Sequence, residues 1–115
     1  FRVKIWSVIS VDMGVRIMKK KQVSCGWQKL LGWIQASQDL GLSNELMRFL
    51  LTPEEYESIA LRTLLIEDLL LKKKPQRQIA ADHQISIAKI TRGSNALKTT
   101  SEPLLQFLKT QLVED

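Results

Sequence analysis

The segment "TPEEYESIALRTLLIEDLLLKKK", which begins at Thr52, constrains the fold of this chain more than any other stretch. Thr52 is suited to the N-cap of a helix, Pro53 to the first helical position, and Glu55 to the return hydrogen bond of a capping box. The lysines at positions 72–74 complement the negative end of a helix dipole. The segment therefore predicts a long helix with a well-defined start.

The apolar residues of this helix spread over more than one stripe, so the helix must be surrounded on several sides. They are Leu61, Leu64, Leu65, Ile66, Leu69, Leu70 and Leu71. A chain of 115 residues has few elements of its own with which to cover such a helix. A second copy of the chain in an interwoven dimer could cover it. The pattern alone leaves open a central helix in a monomeric bundle.

Two further helices are predicted before this segment. One helical face at i, i+3, i+4 and i+7 spacing is formed by Trp27, Leu30, Leu31 and Ile34. Gly41 is placed to end this helix as a C-cap glycine, and Asn44 to cap a short helix after it.

Residues 1–26 have no helical period, and their charged residues interrupt the apolar core that a secretory signal needs. We expect a disordered N-terminal extension here, and one interpretation is translation from upstream of a start at Met13 or Met18. Residues 27–115 are expected to form a single domain.

Composition excludes several classes of protein. No apolar run approaches the roughly 18 residues of a membrane-spanning helix, so we expect no membrane association of that kind. Cys25 and His83 are the single cysteine and histidine, which is too few for a structural zinc site or for most acid–base catalysis. We expect a cytoplasmic protein that is not an enzyme and holds no metal.

The stretch "QRQIAADHQISIAKITRGSN", from residue 76, predicts two short helices joined by a tight turn. Ile79 and Ala80 are expected to face a neighbouring helix, Ile85 to lie in the turn, and Ile87 and Ile90 to anchor the second helix. This spacing is typical of a helix-turn-helix unit, in which the second helix projects into a DNA groove.

The turn of this unit has two unusual residues. Gln84 stands where glycine often supplies a left-handed conformation, so the chain must accept strain there or use a different turn. His83 stands where an apolar residue is common, and Ser86 is placed to cap the second helix.

Positive charge is concentrated on the same unit. Residues 72–98 hold seven lysines and arginines against one acid, Asp82, for a formal charge of +6, whereas the whole chain carries +5. Such a cluster is typical of nucleic-acid binding, although a solvated basic face would give the same count.

The stretches "LTPEEYESIALR", "QRQIA" and above all "SIAKITRGSNALK" resemble the tryptophan repressor family, from about Trp27 to Leu112. The resemblance implies an all-α, six-helix chain that forms an intertwined homodimer with a helix-turn-helix reading head. It also implies a bacterial repressor of tryptophan biosynthesis genes. Such a repressor binds a palindromic operator in double-stranded DNA when L-tryptophan is bound as corepressor.

The resemblance also implies a tryptophan site. Arg62 and Arg92 match the family's two ligand-binding arginines, and a guanidinium can pair with a carboxylate and stack on an indole ring. Gly93 would let the ring approach the backbone, and Ala96 stands where some members carry a hydrogen-bonding serine. Phe49, Leu51 and Thr52 would complete the pocket from the other subunit.

By the same resemblance, the residues expected to contact DNA are Gln76, Arg77, Ala80, Ser86, Ile87, Ala88, Lys89, Thr91, Ser94, Asn95 and Lys98. Two alternatives remain open at the level of sequence. One is a repressor-like DNA-binding protein that does not respond to tryptophan. The other is a helical protein-interaction module with a basic surface.

Overall fold

The computed structural model describes the backbone of residues 13–112 and the side chains of residues 18–112. In this part the chain is entirely helical, without a strand. The six helices are α1 (Met13–Asp39), α2 (Ser43–Leu50), α3 (Pro53–Leu71), α4 (Gln76–His83), α5 (Ile87–Lys98) and α6 (Glu102–Thr110). They fall into two compact units, one with α1 and α2 and one with α3 to α6. The predicted all-α, six-helix class is confirmed.

Helix α1 begins at Met13, fourteen residues before the apolar period that starts at Trp27. Residues 13–26, for which we expected disorder, are therefore described as helix, whereas residues 1–12 lie outside the described part. Side chains 18–29 are all exposed, so this stretch of the helix has no buried face and leaves no apolar period in the sequence. Its lysines and glutamine are nevertheless good helix formers.

The connection from α1 to α2 turns at Gly41, whose φ of 68° confirms the predicted C-cap glycine. The Leu42 N–H donates to the Ser37 carbonyl at 2.9 Å, which completes the turn. The expectation for Asn44 was wrong, because α2 already begins at Ser43 and Asn44 lies inside its first turn. The first helical bond runs from the Leu46 N–H to the Leu42 carbonyl, at 2.9 Å.

Helix α3 starts at the predicted capping box. The Thr52 hydroxyl accepts from the Glu55 N–H at 3.1 Å, and the Glu55 carboxylate accepts from the Thr52 N–H at 2.9 Å. The helix ends at Leu71, and Lys72 takes the left-handed conformation with φ 55° while its N–H donates to the Asp68 carbonyl at 3.2 Å. The lysines at positions 72–74 therefore follow the helix.

The core of the second unit joins α3, α4 and α5. Among the described residues its buried apolar side chains are Leu65, Ile79 and Ile90, with Leu69, Ala80 and Ile85 packed against them. The predicted inward positions of α4 and the turn are thus confirmed. Ile87 is not an anchor, because 52% of its surface is exposed. It is the first residue of α5.

A three-residue turn joins α4 to α5. Gln84 adopts the left-handed conformation with φ 53°, and the Ile85 N–H donates back to the Ala80 carbonyl at 3.0 Å. The chain therefore accepts the strain of a non-glycine residue at this position. The Ser86 hydroxyl then caps α5 by accepting from the Lys89 N–H at 3.3 Å. This cap was predicted.

Candidate functional site

A cleft of about 480 Å³ is lined by α3, α5 and the turn between α4 and α5. Helix α3 contributes Arg62 together with apolar side chains such as Leu65 and Ile66, and α5 contributes Arg92 and Ala96. The volume lies within the range of roughly 300–1,000 Å³ that small-molecule sites occupy. An apolar wall with convergent cations suits a ligand that is flat, apolar and negatively charged at one end.

The cleft is electropositive. Its lining includes Arg62, Lys89 and Arg92, against one acid, Glu57. Arg62 and Arg92 have no ion-pair partner among the described residues, so both guanidiniums are available to an anion. Sequence reasoning had assigned Lys89 to DNA alone and had not included Glu57 in the site.

Gly93 also lines the cleft, and the structure gives it a packing role that was not anticipated. A Cβ on this residue would lie 3.3 Å from Leu65 Cδ2 and 3.3 Å from Leu69 Cδ1. Such distances are tighter than ordinary contacts, so the missing side chain allows α5 to approach α3. The sequence offered no signal for this contact, because the two leucines belong to another helix.

Three predicted ligand residues lie elsewhere on the chain. Phe49 lies on α2 with 82% of its surface exposed, and Thr52 is occupied as the cap of α3. Leu51 and Thr52 do not line the cleft of their own chain. Their expected role was in a second subunit, and it stays a prediction.

The residues expected to contact DNA are mostly exposed along α4, the turn and α5. Ala80 and Ser94 are half-buried, and the others are accessible. The hydroxyls of Ser86 and Thr91 already make hydrogen bonds to the backbone of α5. Ser86 caps the helix, and Thr91 donates to the Ile87 carbonyl at 3.0 Å. Arg77 and Lys98 make no ion pair with another described residue.

A second cleft of about 700 Å³ lies in the same unit. Its lining includes Leu70 and four lysines, Lys72, Lys74, Lys98 and Lys109. Lys74 is engaged within it, because its Nζ lies 2.7 Å from Asp82 Oδ2. This hydrogen bond is the main cause that raises the pKa of Lys74 and lowers the pKa of Asp82.

Sequence reasoning also missed a contact between two helices. His83 Nε2 at the end of α4 lies 2.6 Å from Asp68 Oδ2 on α3. The two residues are fifteen positions apart in the chain, so no local pattern could indicate that they meet.

Within residues 13–112, no group of three or more potential metal ligands comes together. No helix in that part of the chain combines the length and apolar character needed to cross a membrane.

Comparison with known proteins identifies a similar family. The sequence profile described as Trp repressor protein matches residues 25–112. A Trp operon repressor homolog of Mannheimia succiniciproducens is 39% identical over 83 residues, which is 72% of this chain and 82% of the relative. Relatives of the same description in Vibrio campbellii and Pasteurella multocida are 40% and 36% identical, over 75% and 76% of this chain and 86% of each relative.

Proposed function

Because the chain belongs to the Trp repressor protein family, whose members are transcription regulators and not enzymes, we propose that it is a repressor of tryptophan biosynthesis genes. In this proposal the protein acts in the cytoplasm. L-tryptophan is its corepressor, and a palindromic operator in double-stranded DNA is its target.

The observation that carries the proposal is the meeting of Arg62 and Arg92 in one cleft with apolar walls. An amino acid with an indole side chain needs a cation for its carboxylate and flat or apolar surfaces for its ring. One guanidinium can pair with the carboxylate and the other can stack on the indole. Leu65 and Ile66 supply apolar surface in the same cleft. Among the described residues no acid is paired with either arginine, so the ligand does not have to displace one of these.

A second copy of the chain would complete this site. The described core of three enclosed side chains is small, while Trp27, Phe49 and Phe107 leave 58%, 82% and 57% of their surfaces exposed. Apolar surface of this extent favours an obligate partner. In the homodimer that we propose, Phe49, Leu51 and Thr52 of one subunit close the cleft of the other. Two reading heads then face two half-sites of a palindrome.

The unit formed by α4, the turn and α5 is proposed as the helix-turn-helix reading head. Helix α5 enters the major groove, and α4 lies across the phosphate backbone. The formal charge of +6 on residues 72–98 supports this assignment, because phosphate contacts supply much of the affinity of DNA-binding proteins. Arg77 and Lys98 are exposed and free to reach DNA.

The place of the cleft suggests how ligand and DNA binding are coupled. Arg62 belongs to α3 and Arg92 to α5, so a ligand held by both would link the two helices. Tryptophan would then favour those head orientations in which both arginines reach it. Tryptophan can raise operator affinity only as far as it binds this orientation more tightly than the other orientations.

Calorimetry with L-tryptophan, combined with retardation of operator-containing DNA with and without tryptophan, tests the proposal. We expect saturable binding by the wild-type protein and stronger retardation in its presence. Arg62→Ala should lose most tryptophan binding and retain only the DNA affinity of the unliganded protein. Arg77→Ala is the matched control, because it removes the same charge outside the cleft and should bind tryptophan normally.

Two results would contradict the proposal. If Arg62→Ala retarded operator DNA as strongly with tryptophan as the wild type does, the corepressor assignment would be wrong. The protein would then be a DNA-binding regulator that does not respond to tryptophan. If the wild type retarded no DNA under either condition, a protein-interaction role for the basic surface would take its place.

A further inference from the structure

The contact between His83 and Asp68 joins the reading head to the long helix behind it. The His83 Nε2 atom lies 2.6 Å from Asp68 Oδ2, and only 17% and 15% of the two side chains are exposed. A hydrogen bond to a carboxylate that is largely shielded from water is stronger than its exposed counterpart. This contact therefore holds α4 on α3 more firmly than surface ion pairs can.

The other charged groups near this contact belong to a separate pair. Lys74 donates to Asp82 at 2.7 Å, and Gln78 donates to the other oxygen of Asp82 at 2.7 Å. Lys74 is also attracted to Asp68, and Asp82 to His83. The Lys74–Asp82 pair links α4 only to the segment that precedes it, whereas His83–Asp68 reaches back to α3.

The position of His83 connects the contact to the tryptophan cleft. His83 is the last residue of α4, and the next three residues, at positions 84–86, all line the cleft. They lead directly into α5, which carries Arg92. A displacement of the end of α4 from α3 would therefore move one wall of the cleft and the start of α5 together.

We propose that the His83–Asp68 pair is a latch that fixes the reading head on α3 and so keeps the cleft and α5 in the arrangement that binds tryptophan and operator. His83 and Asp68 are positioning residues, since they act through the turn and not by touching the ligand. This inference deepens the proposed function and rests on it for the identity of the ligand. The latch itself is a contact between α3 and α4 and does not involve the ligand.

Two substitutions of His83 separate the hydrogen bond from the volume of the side chain. His83→Leu places an apolar side chain of similar size in the half-buried position and removes the donor. His83→Gln places an amide nitrogen near the position of Nε2, so it can still donate to Asp68. The matched control is Asp82→Asn, which weakens the neighbouring pair but leaves both partners of the His83–Asp68 hydrogen bond in place.

Amide hydrogen exchange is the first measurement, because it needs no ligand. In His83→Leu, the amides of α4 and the turn should exchange about tenfold faster than in the wild type, while those of α6 stay unchanged. Both His83→Gln and Asp82→Asn should stay within about twofold of the wild type. A faster exchange of all helices in His83→Leu would indicate general destabilisation and would overturn the latch.

Tryptophan affinity is the second measurement, made by calorimetry under conditions in which every variant is folded. His83→Leu should bind roughly fivefold to tenfold more weakly, because part of its population has a displaced head, and His83→Gln should bind nearly as the wild type does. A contribution to folding stability alone would leave this affinity unchanged, and that result would overturn the proposal. So would equal weakening by His83→Gln and His83→Leu.

The two measurements distinguish a failure of the latch from a failure of the proposed function. If the wild-type protein does not bind tryptophan, the proposed function fails, and the exchange of α4 and the turn alone decides whether the latch exists. If the wild type binds tryptophan but His83→Leu changes neither exchange nor affinity, the latch fails and the proposed function stands.

Discussion

Gly93 faces Leu65 so closely that a Cβ on residue 93 would lie 3.3 Å from Leu65 Cδ2. Leu65 is one of the buried core residues of this unit, and both residues line the cleft that contains Arg62 and Arg92. The depth of the cleft and the packing of α5 on α3 therefore depend on the same missing side chain. A larger residue at position 93 would alter both.

The first prediction concerns Gly93→Ala and Gly26→Ala. Both glycines lie within helices, but a Cβ on Gly26 would meet nothing within 4 Å. Gly26→Ala should raise the free energy of unfolding by about 0.5–1 kcal/mol through helix propensity. Gly93→Ala should lack this gain, because Leu65 and Leu69 must shift to admit the methyl group. Urea denaturation of both variants measures the difference, and equal gains would contradict the close contact.

A second prediction concerns the strained turn. Gln84 has φ 53°, a conformation that costs residues with a side chain roughly 1–2 kcal/mol. Gln84→Gly should therefore stabilise the fold by about 0.5–1 kcal/mol, after the greater flexibility of glycine in the unfolded chain is counted. Ala81→Gly, on the exposed side of α4, is the control and should destabilise by about 1 kcal/mol. Thermal denaturation measures both variants. If both midpoints fell equally, the conformation of Gln84 would not be strained.

A third prediction concerns pH and the Lys74–Asp82 pair. The pKa of Asp82 is lowered in the folded chain, chiefly by the hydrogen bond from Lys74. Its stabilising contribution is therefore present above the ordinary value of 3.8 and is lost as the pH falls through the lower, folded value. The pKa of Lys74 is raised, so the alkaline loss begins only above its ordinary value of 10.5.

The variant Asp82→Asn tests this window. Its thermal midpoint should lie below that of the wild type at pH 6, and the gap should narrow as the pH falls below about 4. Asp39→Asn, at the end of α1, controls for the loss of one exposed charge and should show no comparable narrowing. A gap that stayed constant across the acid range would show that the pair does not contribute as its geometry indicates.

Local signals in the sequence predicted several helix boundaries, although the cap expected at Asn44 was wrong. The capping box of α3 needs only Thr52 and Glu55, and the turn after α1 needs only Gly41, so each is complete within a few consecutive residues. The family resemblance placed Arg62 and Arg92 in one site, and both residues line one cleft of the structure.

Contacts between helices could not be predicted in this way. The His83–Asp68 hydrogen bond and the approach of Gly93 to Leu65 depend on how α4 and α5 lie on α3, which no single segment determines. The first half of α1 was not predicted from the sequence, for a different reason. An exposed helix has no face to bury, so the sequence lacks the apolar period on which helix prediction rests.

A fourth prediction concerns Ala96, which lines the cleft beside Arg92. A serine at this position could add one hydrogen bond to the bound ligand. That bond would contribute roughly 0.5–1.5 kcal/mol, so Ala96→Ser should strengthen tryptophan binding by up to about tenfold. Ala81→Ser, on α4 and outside the cleft, is the control and should leave the affinity unchanged. Calorimetry that found no gain for Ala96→Ser would place the ligand away from this wall.

The fifth prediction separates DNA reading from ligand sensing. Arg77 is exposed at the start of α4 and lies outside the cleft, so Arg77→Ala should leave tryptophan affinity nearly unchanged. If its guanidinium contacts a base edge, operator binding should weaken by roughly 1–3 kcal/mol, with a smaller loss on unrelated DNA. The control is Lys109→Ala on α6, which removes one exposed positive charge outside the reading head.

Binding measured over a series of salt concentrations decides between a base contact and a phosphate contact. A base contact would lower operator affinity selectively and leave the salt dependence nearly as it was. A phosphate contact would weaken operator and unrelated DNA alike and reduce the salt slope by about 1. Lys109→Ala should change operator affinity by less than about twofold, because the cations of α4 and α5 remain. If Lys109→Ala weakened operator binding as much as Arg77→Ala, α4 would not be the element that positions the protein on its operator.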